Sequence, residues 1–244
     1  MLTKSLLVIA SAALSFASPI GRKVEEESIG CAVAPTVPTL PSTGTGQDLA
    51  PPPAGLSLKH IALGFGIQNY TCGSIGATAA ATGALAMLYD ITDLYPGQSH
   101  RSLSSAEFSA LTAYTLHHHK IPLNFDSSSA GRLNAKDFGA SSSNPFTPDA
   151  PLILPGYQAL PFLGHHFFNS NGDPTFSLQH GAINLGLDGT GAVAWLGLGA
   201  KANAGSFGAS FVYRVVTAGG NSHGCASSTG QDSTGYTAQY WFYG

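Results

Sequence analysis

Charged side chains are scarce in this chain of 244 residues. Asp, Glu, Lys and Arg make up only 9% of it, with 10 basic and 13 acidic residues and a formal net charge of −3. This balance provides no basic field that would hold nucleic acid or an anionic membrane, so we expect neither as a partner. The low charge, together with 30 glycines and 15 prolines, also argues against a coiled coil and a bundle of long helices.

Long apolar runs are missing as well. The first 17 residues have the pattern of a signal peptide, with Lys4 before the apolar run Leu6–Phe16 and the small residues Ser15 and Ala17 at a cleavage site. This apolar run is too short to cross a bilayer, which takes about twenty residues. We therefore predict that residues 1–17 are a signal peptide and that the protein is secreted, either extracellular or attached to the cell wall.

The segment that follows, residues 18–55, is rich in proline, threonine and glycine. Proline lacks an amide donor and favours extended, solvated backbone, so this segment is predicted to be a leader or an arm lying on the domain. Residues 56–244 are then predicted to form a single β-rich domain. Within it, residues 99–159 form an insertion of one helix followed by a long loop rich in Pro, Ser, Gly and Asn.

Short apolar stretches separated by turn residues predict strands in this domain. The predicted strands are Leu56–Cys72, Ala84–Tyr89, Gly164–Phe168, Thr175–Leu178, Ala192–Leu198, Ser210–Val216 and Tyr236–Tyr243. The last of them alternates large side chains on both faces, which is typical of a strand inside a sheet. The only convincing helix is Ser104–His119, where Ser104 and Glu107 form a capping box. We predict a mainly β fold, a sandwich or barrel of short strands with one helix in an insertion.

Sequence signals for catalysis are lacking. After Cys31 the only glutamate is Glu107, and no spacing singles out a pair of aspartates for glycosidase chemistry. Gly64-Phe65-Gly66 lacks the third glycine of a dinucleotide loop, and an extended segment follows it where a helix is needed. We therefore expect no cofactor and no NAD-dependent malate dehydrogenase activity, and an enzyme of any kind is not the favoured interpretation.

Metal-site spacing is also missing. His117, His118 and His119 are consecutive, and consecutive residues of a helix point about 100° apart, so the three cannot ligate one ion. They are better explained as a polar helix end whose imidazoles favour the negative end of the helix dipole. We predict no metal site.

Cysteine is limited to Cys31, Cys72 and Cys225. In an oxidising compartment an odd number permits at most one disulfide within the chain, and the residues themselves leave the pairing open. The only N-x-[ST] sequon begins at Asn69, which is therefore a candidate glycosylation site.

Several strings occur in a recognisable order. They are Gly66–Cys72 (GIQNYTC), Leu88–Asp90 (LYD), Gly164–Phe167 (GHHF), Asp173–Phe176 (DPTF), Ala194–Leu196 (AWL), Tyr213–Gly220 (YRVVTAGG), Cys225 and Tyr236–Tyr243 (YTAQYWFY). This series resembles a family of secreted fungal and bacterial proteins of unknown function, whose fungal members are often labelled "malate dehydrogenase". The resemblance extends from Leu56 to Gly244. It implies a compact β-rich domain and a disulfide between Cys72 and Cys225, and it supplies no catalytic mechanism.

Polar residues within these strings are the candidate site residues. They are Gln68, Asp90, His165, Arg214, Thr217, Tyr236 and Tyr240. In one interpretation they line a pocket, where His165 with Asp90 or Arg214 performs acid–base chemistry and the other four bind sugars or phenols. In the other they are structural, with a buried Arg214–Asp90 pair and tyrosine hydroxyls joining strand ends.

Three functions remain open at this point. The first is a secreted or cell-wall-associated protein that binds a glycan or a small apolar molecule without catalysis. The second is a small-molecule enzyme that uses His165 with Asp90 or Arg214. The third is a structural coat protein or one linked to development.

Overall fold

A computed structural model describes most of the chain from residue 36 onward. The described residues are 36–42, 48–126, 139–170, 172–178, 181–184, 194–200 and 209–244. The predicted signal peptide 1–17 and Cys31 lie outside them. Residues Ala34–Gly244 form one compact unit.

Ten strands and one α-helix are present in these ranges. The strands are β1 (Leu58–Cys72), β2 (Ala80–Asp90), β3 (Phe125–Asp126), β4 (Gly139–Ala140), β5 (Phe162–Phe168), β6 (Pro174–Leu178), β7 (Gly181–Asn184), β8 (Leu196–Gly199), β9 (Phe211–Gly219) and β10 (Gly230–Tyr243). Eight of them form an antiparallel sheet in the order β7-β6-β5-β2-β1-β10-β9-β8, and β3 pairs with β4. The helix is α1 (Ser105–His118), and a 3₁₀ turn spans Thr92–Leu94.

The centre of the sheet is the pairing of β1 with β10. These strands have 15 and 14 residues and run antiparallel from Leu58 opposite Tyr243 to Cys72 opposite Gly230. β1 lies close to its predicted bounds, whereas β10 begins at Gly230, six residues before the predicted start at Tyr236. The interior position of β10, between β1 and β9, agrees with its large side chains on both faces. The disulfide between Cys72 and Cys225 is confirmed and lies at one end of this pair.

The sheet is strongly curled. The rings of Phe176 in β6 and Phe242 in β10 have centroids 5.4 Å apart, although β5, β2 and β1 lie between their strands. In a flat sheet four strand spacings would separate them by roughly 19 Å. The sheet therefore folds into a half-barrel, whose concave face holds an apolar core that includes Leu88, Val212 and Tyr240. The predicted mainly β, barrel-like class is confirmed.

Helix α1 covers the convex face. Phe108 and Leu111 pack there against Trp241 and Val215 in a second apolar core. The helix begins as predicted, because Ser104 caps it and forms a capping box with Glu107. Although α1 was predicted within an insertion, it contributes side chains to this second core. No helix in the described ranges is long and apolar enough to span a bilayer.

Several smaller elements differ from the predictions. The strand predicted over Ala192–Leu198 is observed as β8, Leu196–Gly199, while residues 192 and 193 lie outside the described ranges. Strand β7 had no sequence signal. The described parts of the arm lie against the domain, where Thr36 N donates to Gly97 O at 3.2 Å and Tyr213 Oη donates to Ala50 O at 2.9 Å.

Glycines in β1 permit close packing on the concave face. A Cβ at Gly64 would lie 2.8 Å from Tyr240 Cδ2 and 3.3 Å from Leu88 Cδ2. Both distances are below ordinary van der Waals contact, so the Tyr240 ring occupies the space that a side chain at Gly64 would need.

Replacing this glycine is the first test of the packing. Gly64→Ala should lower the free energy of unfolding by about 1–3 kcal/mol, because a core that is already full must shift to admit the methyl group. Urea denaturation measures it. Gly73→Ala is the matched control, since a Cβ there meets nothing within 4 Å, and it should stay within about 0.5 kcal/mol of wild type. Equal stability of the two variants would contradict the close packing of Tyr240.

Candidate functional site

The concave face carries a buried polar network that joins four of the predicted site residues. Gln68 lies in β1, Arg214 in β9, and Tyr236 and Tyr240 in β10. Arg214 Nη1 donates to Gln68 Oε1 at 3.3 Å, and Gln68 Nε2 donates to Gly83 O at 2.6 Å. The pairing of β9 with β10 places Arg214 directly opposite Tyr240. Side chains from three adjacent strands thus converge on one cluster, although Gln68 is opposite Thr234 and lies six residues along β1 from the partner of Tyr240.

Both tyrosines of this network are neutral hydrogen-bonding groups. Their hydroxyl oxygens lie 2.8 Å apart, and Arg214 hydrogen-bonds the Tyr240 hydroxyl. Burial raises the pKa of both hydroxyls above the ordinary tyrosine value, and for Tyr236 the neighbouring Tyr240 raises it further. Arg214 Nε and Nη2 each donate to Ala194 O at 3.2 Å. The cluster is therefore held together by many bonds within the chain.

The histidine beside this network is His166. Its Nδ1 lies 3.0 Å from Thr175 O, and its ring stacks on Phe176 with centroids 4.2 Å apart and lies 5.4 Å from Tyr240. Burial lowers the pKa of His166 to about 3, and the charge of Arg214 lowers it too. His166 is therefore a neutral packing residue at physiological pH. Sequence reasoning missed it, and the only available signal was the adjacent pair of histidines in the string GHHF.

The other histidine of that pair, His165, lies on the opposite face. It is paired with Met87 of the convex core. Its Nε2 lies 3.0 Å from Asp149 Oδ1, and its ring stacks on Phe146 with centroids 4.1 Å apart. Burial lowers the pKa of His165, and the Asp149 carboxylate offsets this only in part. His165 therefore fastens the long loop to the sheet.

The constellation proposed for an enzyme is not assembled. Asp90 lies at the end of β2, where its carboxylate contacts His60 and Thr92, so neither His165 nor Arg214 is its partner. The alternative of a buried Arg214–Asp90 ion pair is equally wrong, because Arg214 bonds Gln68 and Ala194 instead. Both expectations paired side chains without knowledge of the strand register, and the register decides which side chains can meet.

The remaining two candidates lie at other places in the sheet. Thr217 follows Val216 at an irregularity of β9 and is partly exposed. Asn69 lies within β1, and its Oδ1 accepts from Ser233 Oγ at 2.8 Å. Glycosylation of Asn69 stays a prediction.

A groove on the convex face is a feature that the sequence analysis missed. We call it the aromatic groove, and its volume is about 380 Å³. It is lined by Thr39, Leu40, Pro41, Ser42, Tyr95, Pro96, Ser105, Phe108, Ser109, Val216, Gln239 and Trp241. None of these residues carries a charge. Its walls come from the arm, the turn after β2, α1, β9 and β10, and no local sequence pattern connects such distant segments.

The aromatic rings of this groove are held in fixed positions. Tyr95 packs edge-on against Phe108 and Trp241, with centroid distances of 5.4 and 5.7 Å. Trp241 Nε1 donates to Gln239 Oε1 at 3.1 Å, and Gln239 Nε2 donates to Phe108 O at 3.1 Å. The arm lies at the rim, where Thr39 N donates to the Tyr95 hydroxyl at 3.1 Å.

The backbone in the groove wall is strained. Val216 has φ of 47° and is the only non-glycine residue with positive φ in the described ranges. A β-branched side chain is strongly disfavoured there, and such strain is concentrated at functional sites. The pairing of β9 with β10 also shifts register between Thr237 and Gln239, and bulges of this kind commonly re-aim side chains beside a site.

Clustered metal ligands are not found in the described part of the chain, where no three His, Cys, Asp or Glu side chains could share an ion. The consecutive histidines end α1, and His118 Nδ1 lies 2.9 Å from Tyr114 O while its ring stacks on Tyr114.

The burial of His166 predicts acid sensitivity. The unfolded chain binds a proton below the ordinary histidine pKa of about 6.5, whereas the folded protein does so only near a pKa of about 3. Stability contributed by this residue is therefore full above pH 6.5 and falls by about 1.4 kcal/mol per pH unit down to pH 3. Between pH 7 and 4.5, His166→Gln should lose about 2–3 kcal/mol less than wild type in urea denaturation.

The exposed His100 provides the control, since His100→Gln should keep the wild-type pH dependence. NMR of the wild-type imidazole gives an independent measurement, in which the His166 signals stay those of the neutral ring at pH 4.5. Protonation of His166 near pH 6 would contradict the burial described here.

Comparison with known proteins supports one part of the resemblance, a family of unknown function. Residues 52–244 match the family model described as "Protein of unknown function (DUF3455)", which carries no enzyme designation. No curated protein and no solved structure matches the chain. The matched range includes every strand of the half-barrel, α1 and both disulfide cysteines. The chain therefore belongs to the DUF3455 family of proteins of unknown function.

Proposed function

We propose that this protein is a secreted, non-catalytic binding protein whose aromatic groove holds a small neutral ligand. The ligand is a sugar unit of a cell-wall glycan or a small apolar molecule. The observation that carries the proposal is the composition of the groove, where three aromatic rings, an amide and several hydroxyls meet without any charged side chain.

The lining selects the charge and size of the ligand. An ionic ligand would lose water without gaining a counter-charge, which is costly, whereas a neutral ligand loses little. The volume of about 380 Å³ is within the range of about 300–1,000 Å³ that is usual for small-molecule sites.

Polar groups in the groove favour a ligand that carries hydroxyls. Ser105 and Ser109 present hydroxyls from α1, and the Gln239 amide in the lining is held by Phe108 O and Trp241 Nε1. Aromatic surface with a few fixed hydrogen-bonding groups is the combination that binds sugar rings and small phenols.

Secretion is supported by two features. The predicted signal peptide occupies residues 1–17, and the disulfide between Cys72 and Cys225 is of the kind that persists in oxidising compartments. A purely structural coat protein would share both features and bind no ligand in the groove. Ligand binding therefore separates the two functions.

Calorimetry with a panel of neutral ligands tests the proposal. Soluble fragments of chitin, β-glucan and cellulose and a neutral phenol are titrated into the wild-type protein, and at least one should bind with measurable heat. Ser109→Phe should weaken that binding by about tenfold or more, because the new ring fills the groove.

Ala110→Phe is the matched control. Ala110 is exposed on α1 and does not line the groove, so this variant should bind as the wild type does. Absence of binding across the panel would favour the structural alternative, and unchanged binding by Ser109→Phe would place the ligand elsewhere.

A further inference from the structure

A second cleft lies where β1 begins and β2 ends. Its volume is about 270 Å³, and it is lined by Lys59, His60, Asp90, Thr92, Asp93, Leu94, Arg101 and Pro161. Unlike the aromatic groove, it contains ionisable side chains of both signs. We call it the ionic cleft.

Asp90 holds the imidazole of His60 in a fixed orientation. His60 Nδ1 lies 2.9 Å from Asp90 Oδ2. Asp90 Oδ1 accepts from Thr92 N at 2.8 Å and from Thr92 Oγ1 at 2.6 Å, while Thr92 Oγ1 accepts from Ile61 N at 2.9 Å. The carboxylate is thus fixed by the backbone of the turn that follows β2.

The charge of Asp90 follows from those contacts. Burial alone would raise the pKa of the Asp90 carboxyl, but the hydrogen bonds from His60 and Thr92 outweigh burial and hold the pKa below its ordinary value. An ionised Asp90 requires His60 to donate from Nδ1, so in the neutral ring Nε2 keeps a free lone pair. The His60 side chain is 38% exposed, and the ring reaches the cleft.

Arg101 provides a hydrogen-bond donor that lacks a partner. Its Nε is buried and makes no hydrogen bond among the described residues. Its Nη1 lies 3.7 Å from Asp93 Oδ2, which is beyond hydrogen-bond distance. Buried donors are nearly always satisfied, so this N–H has unused hydrogen-bonding capacity in a side chain that lines the cleft. Lys59 adds a second cation to the same lining.

We propose that the ionic cleft binds a small carboxylate that also carries a hydroxyl or amine donor. Arg101 and Lys59 hold the carboxylate, and His60 Nε2 accepts the hydrogen bond from the donor. This site is separate from the aromatic groove and would exist even if the groove bound nothing.

The geometry of guanidinium favours this head group. Arginine presents adjacent N–H donors in a planar fork that matches the two oxygens of a carboxylate, and such charge-assisted bonds are stronger than neutral ones. Asp93 competes for Arg101 in the absence of ligand, but its side chain is 68% exposed, so it can turn to solvent when a ligand carboxylate enters.

NMR titration at pH 7.5 and low salt tests the proposal with four small probes. Glycolate offers both groups, acetate offers only the carboxylate, glycolamide offers the hydroxyl with a neutral amide, and inorganic phosphate is a different oxyanion. Glycolate should shift the signals of Arg101 Nε–H and the His60 ring together, with saturation at millimolar concentration. Acetate should bind about threefold to tenfold more weakly. Glycolamide should produce no saturable shift, and phosphate, which a guanidinium fork can also hold, should bind more weakly than glycolate.

Variants assign the roles within the cleft. Arg101→Gln should weaken glycolate binding by about tenfold, the size of one charge-assisted bond, while Asp93→Asn should strengthen it because the competing carboxylate is removed. His60→Gln should reduce the preference for glycolate over acetate toward one. Lys120→Gln is the control, since Lys120 is exposed and lies outside the cleft, and it should leave binding unchanged.

Specific outcomes would overturn the proposal. Phosphate binding as tightly as glycolate would show a general anion site, and equal weakening by Lys120→Gln would show non-specific attraction of charge. Failure of glycolate to shift Arg101 and His60 in the folded wild-type protein would refute the site itself. None of these results bears on the aromatic groove.

Discussion

The antiparallel pairing of β1 with β10 is the constraint on which the rest of the structure depends. Both strands are buried along most of their length, so their side chains must pack into one of the two cores. On the concave face Tyr240 and Phe242 meet side chains from β5, β6 and β9, and on the convex face Trp241 packs with α1. The disulfide at Cys72 closes one end of the pair. A change in this register would move each side chain to the wrong face.

Because the central strands are buried on both faces, a ligand can contact few of their side chains. The network of Gln68, Arg214, Tyr236 and Tyr240 is polar, yet each member is at most 6% exposed. Its hydrogen bonds run to other parts of the chain, so its function is to satisfy polar groups inside the half-barrel. Side chains that a ligand can reach are instead found where strands end or where their regular pairing is interrupted.

Both proposed sites lie at such irregularities. The aromatic groove borders the register shift between Thr237 and Gln239, and the ionic cleft borders the shift between Leu58 and His60. An irregular position interrupts the regular ladder and re-aims nearby side chains. The two sites differ in chemistry, since one is free of charge and the other contains ionisable residues of both signs. The two proposed sites would therefore suit different ligands on the same sheet.

The sequence by itself determined the local features of this protein. Alternation with period two assigned the two faces of β10, the pair Ser104 and Glu107 marked the start of α1, and most strands lie close to where they were expected. These features depend on neighbours within a few residues, so pattern and propensity suffice to predict them. Only the tertiary structure decided that His166 stacks on Phe176 beside Tyr240, that Asp90 holds His60, and that the sheet curls until β6 meets β10. Each of these contacts depends on the register and curvature of strands that are distant in sequence. If the pairing of two strands shifts by a single residue, every side chain moves to the other face of the sheet and meets a different partner.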